Sequence, residues 1–187
     1  MTRQTDIIKK LIRNRRSINI FDQEREVPVG IIREAIDVAV WAPNHRMTEP
    51  WRFYLVGQET KRKICELNAD IVTAAKGEAA GKIKLDKWMK VPGWLVVTCQ
   101  KSDDPVMQQE DYAACACVIH NLSLILWSQG IGMKWTTGEV TRDDRFYDLV
   151  WIDRDAETVV GLMWYGYPDE SPAGNRRPGQ ELTVELP

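Results

Sequence analysis

The stretch CACVIHNLSLILW, residues 115–127, limits the folds open to this chain, because apolar residues occupy almost every face of the helix that it predicts. It is the second half of the longest predicted helix, from about 106 to 129, which Gly130 ends in the usual C-terminal role. A helix with one face in water needs only one apolar stripe, so this helix is either central to a large core or buried by a second subunit. In a chain of 187 residues the second subunit is the favoured explanation.

Shorter elements are predicted on both sides of this helix. Spacing of the apolar residues predicts helices at about 5–14, 28–40, 60–76, 79–89 and 141–150. Pro28 suits the first position of the second helix, and Thr141 with Asp144 resembles a capping box at the start of the last. Runs of branched and aromatic residues predict strands at about 51–56, 94–99, 133–136 and 158–165. Helices outnumber strands and do not alternate with them regularly, so an α+β fold is favoured over a doubly wound parallel sheet.

The composition is that of an ordinary globular protein, with 44% hydrophobic and 28% charged residues. A net charge of -2 argues against a basic nucleic-acid surface. No apolar run reaches membrane-spanning length and the N-terminal MTRQTDIIKK lacks a signal-peptide core, so no membrane association and a cytoplasmic location are expected. Eight tryptophans are many for this length, and such aromatics commonly line a flat ligand or a subunit interface.

The four cysteines lie in apolar, core-like segments at Cys65, Cys99, Cys115 and Cys117, with no Cys-x-x-Cys spacing. Buried reduced thiols are therefore expected, rather than a disulfide framework or a metal site. Cys117 and His120 would be neighbours on the long helix. We interpret them as core packing, because the helix is too apolar to keep a thiolate and no acid is placed to orient the histidine.

Three polar clusters are candidates for a binding site. The first, RRSINIF at residues 15–21, could clamp a phosphate with Arg15, Arg16 and Ser17, since arginine offers a planar fork of donors. Taken alone, a solvated helix end with favourable cations is the better interpretation.

The second cluster, WAPNHRMTEPW at residues 41–51, could be an ordinary connection whose tryptophans cover the edge of the core. The third, MKWTTG at residues 133–138, could be an ordinary turn or could offer backbone N–H groups to the edge of a ring. Neither a Gly-x-Gly-x-x-Gly fingerprint nor a Walker loop is present, which excludes dinucleotide or triphosphate binding by those routes.

In chain order, however, the three clusters resemble the FMN-dependent nitroreductase family, above all its members of under two hundred residues. The matching motifs are an Arg-x-Ser-x-x-x-Phe start, an Ala-Pro loop that closes on Pro-Trp before a strand, and a late Trp-x-x-Gly turn. The resemblance implies one domain over residues 1–187, with 168–187 as a C-terminal extension. It also implies a central mixed β-sheet flanked by helices, with the long apolar helix at the core of a homodimer.

The resemblance also implies which residues bind the cofactor FMN at the subunit interface. Arg15 and Ser17 would contact the phosphate and ribityl oxygens, with Arg16 between them, and Arg176 would be the C-terminal phosphate-binding arginine. The loop would line a flavin that the partner subunit mainly holds, and the late turn would meet the flavin with its backbone and hydroxyls. The residues concerned are Trp41, Pro43, Asn44 and His45 in the loop, and Trp135, Thr136, Thr137 and Gly138 in the turn.

Some positions depart from the family pattern. Asn19 stands where the family often has a cation near the flavin pyrimidine edge, Trp41 replaces an arginine, and Met47 and Glu49 replace an asparagine and a glutamine. A neutral Asn19 predicts a more strongly reducing flavin, unless Lys134 or an arginine supplies the missing charge.

The function that the resemblance implies is hydride transfer in two half-reactions. NAD(P)H would reduce flavin N5 and leave, and a small-molecule electron acceptor such as a nitroaromatic or quinone would then be reduced. No catalytic residue is predicted, because the flavin carries the chemistry. The alternatives are another flavin reaction on the same scaffold, such as dehalogenation, flavin destruction or enone reduction, and a non-catalytic flavin-binding or regulatory protein.

Overall fold

Four strands form the central sheet in the computed structural model, which describes residues 2–187. They are β1 (Trp51–Val56), β2 (Gly93–Gln100), β3 (Gly132–Thr136) and β4 (Glu157–Gly166), in the order β1-β2-β4-β3. All three neighbouring pairs are antiparallel, where a mixed sheet was expected. A parallel pairing occurs as an isolated bridge between Ser17 and Met133 at the outer edge of β3.

Six α-helices surround the sheet, so the predicted α+β class is confirmed. They are α1 (Arg3–Asn14), α2 (Val29–Ala39), α3 (Gln58–Lys76), α4 (Glu78–Met89), α5 (Pro105–Ser128) and α6 (Asp144–Val150). Short 3-10 helices lie at His45–Met47, Glu139–Arg142 and Gly179–Leu182.

The helices cover the sheet in two layers. Along β2 successive side chains point to opposite faces, so Leu95 and Val97 join a core with α2 and α5. Trp94 and Val96 join a second core with α3, α4 and α6. Strand β2 is therefore buried on both faces, which explains its nearly continuous apolar sequence.

Helix α5 buries one stripe against the sheet and α2. The buried positions follow helical spacing and comprise Asp111, Ala114, Cys115, Val118, Ile119, Leu122, Ser123 and Leu126. Asp104 caps the N-terminus by accepting hydrogen bonds from the N–H groups of Val106 and Met107. Gly130 follows the C-terminus with φ 77°, a left-handed conformation that glycine adopts without steric cost. The single chain therefore does not bury this helix on every face.

Two predicted helix starts were wrong in detail. Residues 139–142 form a 3-10 turn in which the Thr141 hydroxyl donates to the Gly138 carbonyl, so α6 begins later and Asp143 caps it. Pro28 precedes α2 as its N-cap residue instead of standing in its first turn.

The tail at residues 168–187 runs exposed along the surface, with one short turn at Gly179–Leu182. The cysteines are free thiols, and Cys117 is the one that is only half-buried. Within residues 2–187, none of the helices has both the length and the apolar character needed to cross a membrane.

Candidate functional site

A cavity of about 470 Å³ lies at the C-terminal end of α1, and we call it the arginine cavity. Its lining comes from α1 and the residues after it, from α5 and from the tail: Ile12, Arg13, Arg15, Arg16, His120, Gly174, Asn175 and Arg176. The first predicted cluster and the tail arginine, 160 residues apart in sequence, therefore meet in one place.

Arg16 holds this part of the tail in position. Its guanidinium donates to the Pro172 carbonyl at 3.1 Å and to the Arg13 and Arg15 carbonyls at 2.6 and 2.9 Å. A Cβ at Gly174 would lie 2.4 Å from the guanidinium carbon of Arg16, so the tail approaches closely because this residue has no side chain. Arg16 is thus committed to backbone carbonyls. Arg176 gives one N–H to the Asn175 carbonyl at 2.6 Å, and both it and Arg15 line the cavity.

The arginine cavity carries positive charge that the chain does not neutralise. Burial, and then the nearby charges of Arg16 and Arg176, lower the pKa of Arg15 below its ordinary value. None of the ion pairs within residues 2–187 includes Arg15, Arg16 or Arg176. A bound anion would relieve this repulsion, and two guanidinium forks suit a phosphate.

A second cavity of about 170 Å³ adjoins the first, and we call it the ring cavity. It shares Arg15 and His120 with the arginine cavity, and its other lining residues are Ser17, Ile119, Ser123, Met133 and Trp135. The bridge from Ser17 to Met133 fixes the residues after α1 against β3, and the Ile18 N–H donates to the Met133 carbonyl at 3.3 Å. This pairing places the Ser17 hydroxyl beside the apolar side chains of β3.

Trp135 forms one wall of the ring cavity and lies over a glycine. Its indole N–H donates to the Val160 carbonyl at 3.0 Å. A Cβ on Gly161 would fall 2.2 Å from the indole nitrogen, so the ring can approach β4 this closely because residue 161 is glycine. The other residues of the predicted turn, Thr136, Thr137 and Gly138, line neither cavity. The Thr136 hydroxyl donates instead to the Leu162 carbonyl at 2.9 Å.

His120 and Ser123 line the candidate site and were not predicted from the sequence. The interpretation of His120 as core packing was wrong, because its side chain is exposed and lines both cavities. The available signal was their spacing, since two polar residues three positions apart lie on the same side of an otherwise apolar helix.

The predicted loop packs against the first half of α5, away from both cavities. Asn44 donates to the Thr48 hydroxyl at 3.0 Å, and that hydroxyl donates to buried Asp111 at 2.6 Å. His45 Nδ1 lies 2.7 Å from a carboxylate oxygen of Glu110. Pro43 is exposed, and Trp41 has 87% of its surface in solvent.

The strained backbone of this loop is a reason to consider it part of a functional site. Arg46, Met47 and Glu49 have φ of 57°, 54° and 44°, a region that residues with side chains rarely adopt. Each such residue costs roughly 1–3 kcal/mol, and the surrounding contacts must hold it there. Here the Asn44 side chain accepts from the Glu49 N–H at 2.7 Å, while Thr48 is tied to Asp111.

One copy of the chain does not bring the loop to the cavities. Glu110 precedes His120 by almost three helical turns, which corresponds to roughly 15 Å along α5. None of Trp41, Pro43, Asn44 and His45 lines the cavities of Arg15, Ser17 and Arg176 in the single chain.

Asn19 lies on neither cavity and is paired with a cation. Its side-chain oxygen accepts a hydrogen bond from Lys134 Nζ at 2.6 Å. Lys134 also lies 5.0 Å from the centre of the Trp164 ring. Burial first, and then the charges of Lys87 and Lys84, lower the pKa of Lys134. A positive charge, which Asn19 itself lacks, is therefore supplied by Lys134 in direct contact with it.

Comparison with known proteins places this geometry in a family. The model of the Nitroreductase family matches residues 12–167. This chain belongs to the Nitroreductase family. As a family member it is 35% identical over 179 residues to YfhC of Bacillus subtilis (strain 168), a protein provisionally named an NAD(P)H nitroreductase, with 93% of this chain and 91% of YfhC covered.

Solved structures agree with the assignment. The nitroreductase-like family protein from Bacillus cereus superposes with a TM-score of 0.84 at 29% identity, over 96% of this chain and 95% of the other. The FMN-dependent nitroreductase NfnB from Mycobacterium smegmatis, crystallised in complex with NADPH, shares the fold with a TM-score of 0.78 at 14% identity, over 98% and 100% of the two chains. The resemblance carried by the three sequence clusters is therefore confirmed at the level of family and fold.

Proposed function

We propose that this chain binds FMN across the arginine cavity and the ring cavity, and that it passes a hydride from NAD(P)H to a nitroaromatic, quinone or similar acceptor. Family membership makes the chain an NAD(P)H-dependent flavin oxidoreductase. The observation that supports this site for the flavin is the uncompensated charge of Arg15 and Arg176 beside a partly apolar cavity.

Each part of the proposed site has a distinct task. Arg15 and Arg176 would hold the phosphate with charge-assisted hydrogen bonds, and Arg16 would keep the tail in place. Ser17 and Ser123 would offer hydroxyls to the ribityl chain, and Trp135 would exclude water from one side of the ring. The bound flavin would accept a hydride and donate it again at N5. The chain's own residues would position the cofactor, and no acid–base pair would be required because the flavin carries the chemistry.

The complete site would need a second copy of the chain. We propose a homodimer in which the loop of one protomer reaches the flavin held by its partner. Three observations support this arrangement: the separation of His45 from the cavities, the exposure of Trp41, and the strained backbone of Arg46, Met47 and Glu49. Helix α1 adds a fourth, because it is amphipathic and yet none of its residues is buried in the single chain.

Lys134 argues for a reductase over a passive flavin carrier. The case for a non-catalytic protein began with the neutral Asn19, and Lys134 restores a cation at that position. A cation near the pyrimidine edge would stabilise the negative charge that reduction places there.

The experiment is anaerobic reduction of the purified, FMN-loaded protein. We expect NADPH or NADH to bleach the visible absorption of the flavin, and a nitroaromatic or quinone to restore it. A protein that takes up no FMN would overturn the site, and a tightly bound flavin that neither nucleotide bleaches would overturn the reductase.

A further inference from the structure

Two consecutive acids on α5 hold the strained loop at two points. His45 Nδ1 lies 2.7 Å from a carboxylate oxygen of Glu110, and the Thr48 hydroxyl donates to Asp111 at 2.6 Å. The two loop residues between these anchors have φ of 57° and 54°. The anchors therefore keep a short segment in a backbone conformation that residues with side chains rarely adopt.

The two acids differ in burial, and this separates their tasks. Asp111 is 5% exposed, and its contact with Thr48 provides a hydrogen bond to a carboxylate that burial would otherwise leave costly. The side chains of Glu110 and His45 are 39% and 57% exposed. An exposed pair of this kind stabilises a fold very little. Asp111 thus accounts for the anchoring of the loop, and the contact of Glu110 with His45 has another purpose.

The contact with Glu110 determines which ring nitrogen of His45 carries a proton. An ionised carboxylate only accepts hydrogen bonds, so Nδ1 must hold the hydrogen that it donates at 2.7 Å. In a neutral imidazole the other nitrogen, Nε2, then keeps its lone pair. Within residues 2–187, Nε2 of His45 has no hydrogen-bond partner. One carboxylate therefore sets both the orientation of the ring and the state of its free nitrogen.

We propose that Glu110 is a positioning residue, which holds the His45 ring so that Nε2 is presented to the flavin bound by the other protomer. This inference rests on the proposed flavin site and homodimer, and it adds the residue that prepares His45 for them. The rim of a flavin ring carries carbonyl oxygens and nitrogens, so one nitrogen held in a fixed orientation can hydrogen-bond to it. Holding the ring in advance reduces the loss of side-chain freedom on binding.

The tautomer of His45 tests the positioning without any cofactor. The chain has two histidines, so ¹⁵N-histidine labelling reports one ring for His45 and one for His120, which His120→Gln assigns. In alkaline buffer we expect neutral His45 to carry its hydrogen on Nδ1, whereas an unconstrained imidazole prefers Nε2. Glu110→Ala should shift the tautomer ratio of His45 towards Nε2–H by about tenfold or more, and should leave His120 unchanged. A parent protein with His45 mainly in the Nε2–H form would refute the proposal.

Loading with FMN tests the contact with the flavin. In the parent, FMN should shift the ring-nitrogen resonances of His45. In Glu110→Ala the dissociation constant of FMN should rise by about three- to tenfold, the range for one hydrogen bond. Glu110→Gln should recover most of the affinity, because its amide oxygen still accepts from Nδ1. Glu66→Ala is the matched control, since it removes an exposed pair with Arg62 of 2.6 Å, and it should bind FMN normally.

Thermal melts of each variant establish that it folds. His45 resonances that stay unmoved in a fully FMN-loaded parent would overturn this inference and leave the flavin site intact. Unchanged FMN affinity in Glu110→Ala, or an equal loss in Glu66→Ala, would overturn it as well. A chain that takes up no FMN would instead overturn the proposed function, and this inference with it.

Discussion

At the scale of single residues, Arg15, Arg16 and Arg176 differ in role because their surroundings differ. Arg16 donates to three backbone carbonyls, whereas Arg176 donates to one, and both Arg15 and Arg176 line the cavity. Sequence alone favoured a solvated helix end for this cluster. The tail changes that interpretation, because it adds a further cation to a partly buried group, which is unfavourable without an anion.

Replacing Arg15 by Ala should therefore strip FMN from the protein without unfolding it. A charge-assisted hydrogen bond contributes about 1.5–3 kcal/mol, or roughly tenfold to a hundredfold in affinity. Quenching of FMN fluorescence gives the dissociation constant, and circular dichroism reports the fold. Arg33→Ala, on the exposed face of α2, is the control and should bind FMN normally. Undiminished flavin binding by the Arg15 variant would count against the phosphate assignment.

Lys134 is the second residue whose neighbours decide its role. If the Asn19–Lys134 pair faces the flavin, Lys134→Gln should lower the reduction potential, since a unit charge at about 4 Å contributes about 4 kcal/mol at an effective dielectric near 20. Asn19→Lys should raise the potential but lower the melting temperature, because it brings a second ammonium against Lys134. Spectroelectrochemical titration at one pH measures both. Potentials that stay unchanged in both variants would mean that the pair does not face the pyrimidine edge.

At the scale of elements, local periodicity predicted most of the helices and strands, but it could not predict which strands pair. Strand β1 was predicted with the bounds that it has, because the segment is dense in aromatic and branched residues. The antiparallel pairing of β2 with β4 joins segments about 60 residues apart, and no local pattern encodes it. The same limit applies to the candidate site: Arg15 and Ser17 were predicted from a motif, whereas His120 lies within an apolar helix and was interpreted as core packing.

A polar network across three strands gives a prediction at this scale. Tyr54 on β1 donates to Glu157 at the start of β4 at 2.9 Å, Thr98 on β2 donates to the same carboxylate, and Arg52 lies 3.4 Å from it. Burial, and then the hydrogen bond to Glu157, raise the pKa of Tyr54 to about 12.

Because this pKa is higher in the folded chain than in the unfolded chain, the contribution of Tyr54 to stability is complete below pH 10 and is lost as pH rises towards 12. Tyr54→Phe should lower the free energy of unfolding at neutral pH by about 0.5–1.5 kcal/mol. The variant should then lose less stability than the parent between pH 10 and pH 12. Urea unfolding at a series of pH values measures both effects, and parallel pH profiles for the two proteins would contradict the role of this phenol.

At the scale of the whole molecule, several exposed apolar surfaces support the proposed dimer. Helix α1 exposes Ile7, Ile8 and Ile12 by half or more of their surface, and the tail exposes Val184 and Leu186 almost fully. Scattered apolar residues are normal on a protein surface, but an amphipathic helix with no buried residue is not. Together with a strained loop set away from the cavities, these surfaces fit an assembly in which two copies complete each other's sites.

Replacing Ile8 by Asp tests that assembly directly. The side chain is 53% exposed in the single chain, so the charge should cost the fold of one protomer little. In a dimer that buries α1, the same carboxylate would lose its water without gaining a partner. Obligate interfaces commonly bury 2,000 Å² or more, and one unpaired charge within them should raise the dimer dissociation constant by about tenfold or more. FMN affinity should fall in parallel, because each flavin would lose the loop of the other protomer. Sedimentation velocity with FMN titration measures both, with Lys10→Asp, on the opposite side of the same helix, as the exposed control. A parent protein that sediments as a yellow monomer, or an Ile8→Asp variant that dimerises as tightly as its parent, would refute the shared site.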